Sequence, residues 1–176
     1  GIKKLPRAHQ YFGVKESQKY VNRYEGGIIW HTQGSGKSIS MVFLAKWILE
    51  NNPKARVAIV TDRDELDKQI EDVFTDSGEI IFRTKSGRDL MAKLGQPSPR
   101  LLCSLVHKFG SKDVVNFEKY LTELSENPVQ VSGELFVFVD ECHRTQSGKL
   151  HKTMKAMLSN AVFIAVSYTH LTLPTI

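Results

Sequence analysis

A chain of 176 residues suits one domain with room to bury most of a single hydrophobic core. Hydrophobic content of 41% and charged content of 24% are ordinary for a globular protein. No apolar run approaches the roughly 20 residues needed to cross a bilayer, and the opening residues do not read as a signal peptide, so we expect a cytoplasmic protein without a membrane partner.

The net charge is +5 with a sequence pI near 9.2, which is compatible with a polyanionic partner and does not demonstrate one. The excess is local. Lys3, Lys4, Arg7, Lys15, Lys19 and Arg23 face a single acid, Glu16, whereas the stretch from Asp62 to Asp76 is mostly acidic. A solvated face accounts for either run. Cys103 and Cys142 lack metal-ligand spacing and read as ordinary buried thiols of a reducing compartment.

In chain order, Gly26 to His31 reads as a short buried strand that ends in a glycine-rich turn. Residues 37 to 50 read as a helix stopped by Asn51-Asn52-Pro53. Apolar residues on more than one side of it (Ile39, Val42, Phe43, Leu44, Trp47, Ile48) predict burial. The β-branched run Arg56 to Thr61 leads into a helix with Leu66, Ile70, Val73 and Phe74 on one face.

Ile80 to Arg83, Leu101 to Val106, Leu135 to Val139 and Val162 to Val166 are further apolar runs. Helical stretches separate them at Arg88 to Leu94, Val114 to Leu124 and Lys149 to Leu158. In the last, Leu150, Met154, Met157 and Leu158 form a stripe, and Lys149, His151, Lys152 and Lys155 are expected on the other, solvated side. Short apolar strands alternating with helices predict a three-layer α/β domain with a mainly parallel central sheet.

His31-Thr32-Gln33-Gly34-Ser35-Gly36-Lys37-Ser38 nearly spells the phosphate-binding pattern G-x-x-x-x-G-K-[ST], with His31 at the first glycine position. A strand before it and a helix after it are what such a loop needs, because the free N–H groups of the helix terminus face the phosphates. Gly34 and Gly36 let main-chain N–H groups curl around oxygens, Lys37 would reach the β- and γ-phosphates, and Ser38 would offer its hydroxyl to Mg²⁺. The alternative is a plain strand-to-helix turn.

A partner carboxylate is expected at another strand end, and Leu135 to Val139 runs directly into Asp140 and Glu141. In a parallel sheet the strand C-termini share one edge, so Asp140 can lie near the loop. Asp140 would hold Mg²⁺ through its water shell, and Glu141 would orient and deprotonate the attacking water. Two adjacent acids could also be a helix N-cap pair.

HTQGSGKS and Asp140-Glu141-Cys142-His143-Arg144 together resemble motifs I and II of superfamily 2 helicase-type motors, and more narrowly the restriction (R) subunit of type I restriction-modification enzymes. In that family a His-Thr-Gln lead is the usual form of the loop. The resemblance runs from about Pro6 to Val166 and implies a RecA-like P-loop NTPase domain using ATP and Mg²⁺, with Thr32, Gln33, Gly34, Ser35, Gly36, Lys37 and Ser38 around the nucleotide. It implies that Lys37, Glu141 and His143 act in catalysis, His143 coupling the γ-phosphate to the DNA face. Arg7 and Gln10 resemble the adenine-reading element. Val60-Thr61-Asp62-Arg63-Asp64-Glu65-Leu66 is similar to motif Ia, which implies DNA contacts at Thr61 and Arg63. Leu102 to Phe109 matches a further segment more loosely and offers Lys108, with Ser104 and His107 departing from the pattern.

The family would continue with Gly-Phe-Thr-Gly-Thr-Pro, whereas this chain reads Ser167-Tyr168-Thr169-His170-Leu171-Thr172-Leu173-Pro174-Thr175-Ile176. We therefore expect residues 1–166 to be the first motor domain of a larger subunit and residues 167–176 to be a non-native or frame-shifted tail. The resemblance implies double-stranded DNA and the modification and specificity subunits as partners, and little turnover by the domain alone, since the second motor domain supplies arginines to the transition state. Another superfamily 2 DNA or RNA helicase, or an inert nucleotide-binding fragment, are the alternatives.

Overall fold

The structure, a computed structural model, describes residues 8–30, 37–61, 64–105, 114–141 and 144–167. Its elements are α1 (Ala8–Asn22), β1 (Gly27–Trp30), α2 (Lys37–Asn51), β2 (Ala55–Thr61), α3 (Asp64–Phe74), β3 (Ile81–Thr84), α4 (Gly87–Leu94), β4 (Leu101–Leu105), α5 (Val114–Glu126), β5 (Glu134–Glu141), α6 (Arg144–Met157) and β6 (Val162–Ser167). The six strands form one sheet in the order β1-β6-β5-β2-β4-β3, and every neighbouring pair is parallel. Their C-termini therefore open on one edge.

Strands this apolar make sense only if both faces are covered, and they are. Along β2, Val57 and Ile59 face one way, Ala58 and Val60 the other; along β5, Phe136 and Phe138 alternate with Val137 and Val139. The first set packs with Met41, Leu44, Ile48, Leu66 and Ile70 of α2 and α3 and with Val21 of α1. The second set packs with Leu90, Met91, Phe117, Tyr120, Leu150 and Met154 of α4, α5 and α6. Each wholly buried side chain of this size contributes roughly 1.5–3 kcal/mol relative to exposure.

The sheet edge away from the strand C-termini is closed by two arginines. Arg100 donates to the carbonyls of Leu49, Asn52 and Ala55 and pairs with Glu79 at 2.6 Å. Arg56 donates to the carbonyls of Lys93, Leu94, Pro99 and Ser132. Gly133 sits beside it with φ +80, and a Cβ there would stand 2.7 Å from the Lys54 carbonyl, so the turn into β5 needs glycine.

Four features differ from the sequence reading. α1 is a helix where only a basic run was visible. It docks by a thin line of Val14, Ser17 and Val21, with Ser17 donating back to the Gly13 carbonyl. α6 begins at Arg144 rather than near Lys149. His151 is not on the solvated side: its ring packs 5.4 Å from that of Phe163, because on a helix position 151 neighbours the buried 154 as closely as it neighbours 155. β6 runs through Ser167, which pairs with both Trp30 and Glu141, one residue beyond the strand read from Val162 to Val166.

Candidate functional site: the C-terminal edge of the sheet

Four strand ends and one helix start define the site. β1 ends at Trp30, and the chain re-enters the described structure at Lys37, the first residue of the 15-residue α2. The N-terminus of such a helix carries unpaired N–H groups and partial positive charge, a ready seat for an anion. β6 lies between β1 and β5, so the ends of β1 and β5 are separated by two strand spacings, about 10 Å.

Asp140 and Glu141 are the last two residues of β5, in register with Val166 and Ser167 of β6. Asp140 is 7% exposed, too buried for an idle surface acid, and a buried carboxylate requires partners. One is Thr61, the last residue of β2, whose hydroxyl donates to Asp140 Oδ2 at 3.2 Å. Thr61 is itself 2% exposed. Its hydroxyl thus faces the candidate metal ligand inside the sheet edge. The sequence pointed to this residue only for DNA contact; the signal for its true neighbour is the β2–β5 register, which pairs Val60 with Val139 one step earlier.

Ser104, near the end of β4, is 2% exposed, and its hydroxyl meets that of Tyr120 in α5 at 2.7 Å. Its departure from the family pattern is a packing feature. Nearby, Asp67 of α3 receives both short bonds of Arg83 Nε, at 2.8 and 3.0 Å, and lies 3.8 Å from the Cys103 sulfur. Burial, then the Asp67 charge, pushes the Cys103 thiol up to about 12, so it is an inert buried thiol, as the sequence suggested.

Of the other residues singled out in the sequence, Gln10 falls on α1, Lys37 and Ser38 open α2, and Glu141 closes β5. Thr32, Gln33, Gly34, Ser35, Gly36, Arg63, Lys108 and His143 lie outside the described residues. Among the described residues there is no group of three or more His, Cys, Asp or Glu placed to hold a metal by themselves. The chemistry of Asp140, a single buried carboxylate at a strand end, fits instead a Mg²⁺ ligated mostly by water and phosphate oxygens, as is usual for that ion. No helix among the described residues is long and apolar enough to cross a membrane.

This fold and this edge define a RecA-like domain of a superfamily 2 helicase-type motor, a hydrolase-class architecture. The solved Sulfolobus solfataricus SWI2/SNF2 ATPase core in complex with dsDNA shares the fold, with a TM-score of 0.65 at 16% identity over 96% of this chain and 33% of that one. The sequence model of the SWI2/SNF2 ATPase family matches residues 9–173, and the chain belongs to that family. It is 32% identical to the type I restriction enzyme HindI endonuclease subunit of Haemophilus influenzae, over 98% of this chain and 18% of that protein. The type I restriction enzyme SsaAORF53P endonuclease subunit of Staphylococcus saprophyticus is 29% identical over 81% of this chain and 15% of its own length. The chain spans less than a fifth of these curated relatives.

Proposed function

We propose that this chain is the first RecA-like motor domain of a type I restriction enzyme R subunit, a cytoplasmic protein, and that it binds MgATP at the C-terminal sheet edge. The single observation that carries the proposal is Asp140: a buried carboxylate at the end of β5, on the same edge as the N-terminus of α2.

In this reading the residues divide the work by position. Gln10 reads the adenine. Thr32, Gln33, Gly34, Ser35 and Gly36 present main-chain N–H groups to the phosphates, reinforced by the α2 terminus. Lys37 adds positive charge at the β- and γ-phosphates, and Ser38 and Asp140 hold Mg²⁺. Bound there, Mg²⁺ neutralises phosphate charge. Glu141 takes a proton from water as its oxygen bonds to the γ-phosphorus and the bridging bond to ADP breaks, releasing ADP and phosphate. His143 links that event to the DNA face.

The DNA face would carry Arg63, Lys108 and the backbone around Thr61. In the intact enzyme, with modification and specificity subunits, hydrolysis would drive double-stranded DNA past the motor before cleavage. The solved fold relative in complex with dsDNA, and the two relatives named as restriction endonuclease subunits, support this partner. An arginine supplied by a second motor domain is worth roughly 10³–10⁵ in rate where such groups act, so turnover is to be read on the intact subunit.

The test is ATP hydrolysis by the intact subunit with and without duplex DNA, for the wild type and Glu141→Gln. DNA-stimulated turnover in the wild type, lost in the variant while MgATP binding persists, supports the motor reading. Turnover that is indifferent to duplex DNA but stimulated by RNA would favour another superfamily 2 motor.

A further inference from the structure

We infer that Thr61 is a positioning residue for the metal site, its hydroxyl holding the Asp140 carboxylate in the orientation that receives Mg²⁺; this rests on the MgATP site proposed above. β2 and β5 are adjacent parallel strands in the middle of the sheet, paired from Ala55 with Glu134 to Val60 with Val139. The next residue of each strand is polar after an unbroken run of buried residues, and the two polar side chains meet at 3.2 Å.

Chemistry gives the contact a direction. A threonine hydroxyl is both donor and acceptor, but an ionised carboxylate only accepts, so the proton lies on Thr61 and points at Oδ2. That bond restrains rotation of the carboxylate about χ2, a broad and otherwise soft torsion. The threonine is restrained in turn: β-branching limits its χ1, and its residue is locked between β5 and β4, where it pairs with Leu105. A ligand held by a rigid outer partner binds its metal more tightly because less freedom is lost on binding.

A valine would keep the shape of Thr61 and remove its proton, leaving a buried carboxylate oxygen without that donor.

The experiment is a titration of fluorescent ADP into the protein at a series of Mg²⁺ concentrations, and again in excess chelator, for the wild type, Thr61→Val, Thr61→Ala and Thr61→Ser. The wild type should gain nucleotide affinity as Mg²⁺ rises. In Thr61→Val the Mg²⁺ concentration giving half of that gain should rise about 10-fold or more, with the metal-free nucleotide affinity unchanged. Thr61→Ser, which restores the hydroxyl, should return it close to the wild-type value. Thr61→Ala removes the hydroxyl a second way, so the readout does not depend on the folding of one variant.

A wild-type Mg²⁺ dependence in both Thr61→Val and Thr61→Ala would overturn the inference and leave the nucleotide site standing. A serine variant that behaves like valine would overturn it too, since the methyl and not the hydroxyl would then matter. No Mg²⁺-dependent binding in the wild type would remove the MgATP site and this inference with it.

Discussion

Arg56 of β2 donates from Nη1 to the carbonyl oxygen of Leu94, the last residue of α4, across 2.8 Å of a buried strand edge. Its other bonds go to the carbonyls of Lys93, Pro99 and Ser132, so one guanidinium satisfies the C-terminal end of α4, the approach to β4 and the turn before β5. A fork of five donors suits this geometry, and a lysine cannot reproduce it.

Replacing Arg56 by Met should therefore cost about 3 kcal/mol, because buried carbonyls lose their donors and nothing replaces them. Arg56→Lys should fall between the two. Urea midpoints of the three proteins check this; a Met variant within about 0.5 kcal/mol of the wild type would show that water satisfies those carbonyls equally well.

The pH response should come from His151. Burial, and then the charge of Lys155 one turn away, hold its imidazole below the ordinary value of 6.5, and Nε2 is buried with no hydrogen-bond partner among the described residues. The folded state thus binds a proton less readily than the unfolded chain. The contribution is fully present above pH 6.5 and is lost as pH falls from there through the depressed folded value. His151→Leu should flatten the fall in denaturation midpoint between pH 7.5 and pH 5. A variant as acid-sensitive as the wild type in that window would assign the response elsewhere.

The buried hydroxyl pair of Ser104 and Tyr120 predicts non-additivity. Tyr120→Phe should cost about 1 kcal/mol by leaving the Ser104 hydroxyl without that partner, and Ser104→Ala a similar amount. The double variant should cost little more than either single one, which a double-mutant cycle reads directly. Simple addition of the two costs would mean that the hydroxyls do not interact in solution.

Close approach of α4 and α5 depends on Gly87. A Cβ there would sit 2.5 Å from the Tyr120 carbonyl and 3.2 Å from the Glu123 Cβ, contacts that backbone cannot yield cheaply. Gly87→Ala should destabilise by about 1–3 kcal/mol despite the better helix propensity of alanine. Thermal melting settles the sign.

β2, β4 and β5 were legible because a strand covered on both faces must be continuously apolar, and each such run stood between turn residues, whereas the edge strand β3 is half exposed and showed only as a short apolar run. Their order was not legible. Any arrangement of equally apolar strands has the same pattern, so the placement of β6 between β1 and β5 could not be read from residues. α1 escaped notice because, among the residues of α1 whose side chains are described, it is Val14, Ser17 and Val21 that dock it, a thin line. The first turn of α6, Arg144 to Ser147, contains no apolar residue at all. Asp140 and Glu141 were visible because acids directly after an apolar run are rare. Thr61 was visible as a motif residue, but its partner was not, since a contact across 79 residues exists only once the strands are paired.

A Mg-nucleotide site at the C-terminal edge of the sheet underlies the proposed motor function. Calorimetric titration of MgATP into the wild type and Lys37→Ala tests it most directly. Saturable one-to-one binding to the wild type, weakened about 10-fold or more by the loss of the lysine's charge at the phosphates, is the predicted result. Equal affinity in the two proteins, or no binding to either, would contradict it.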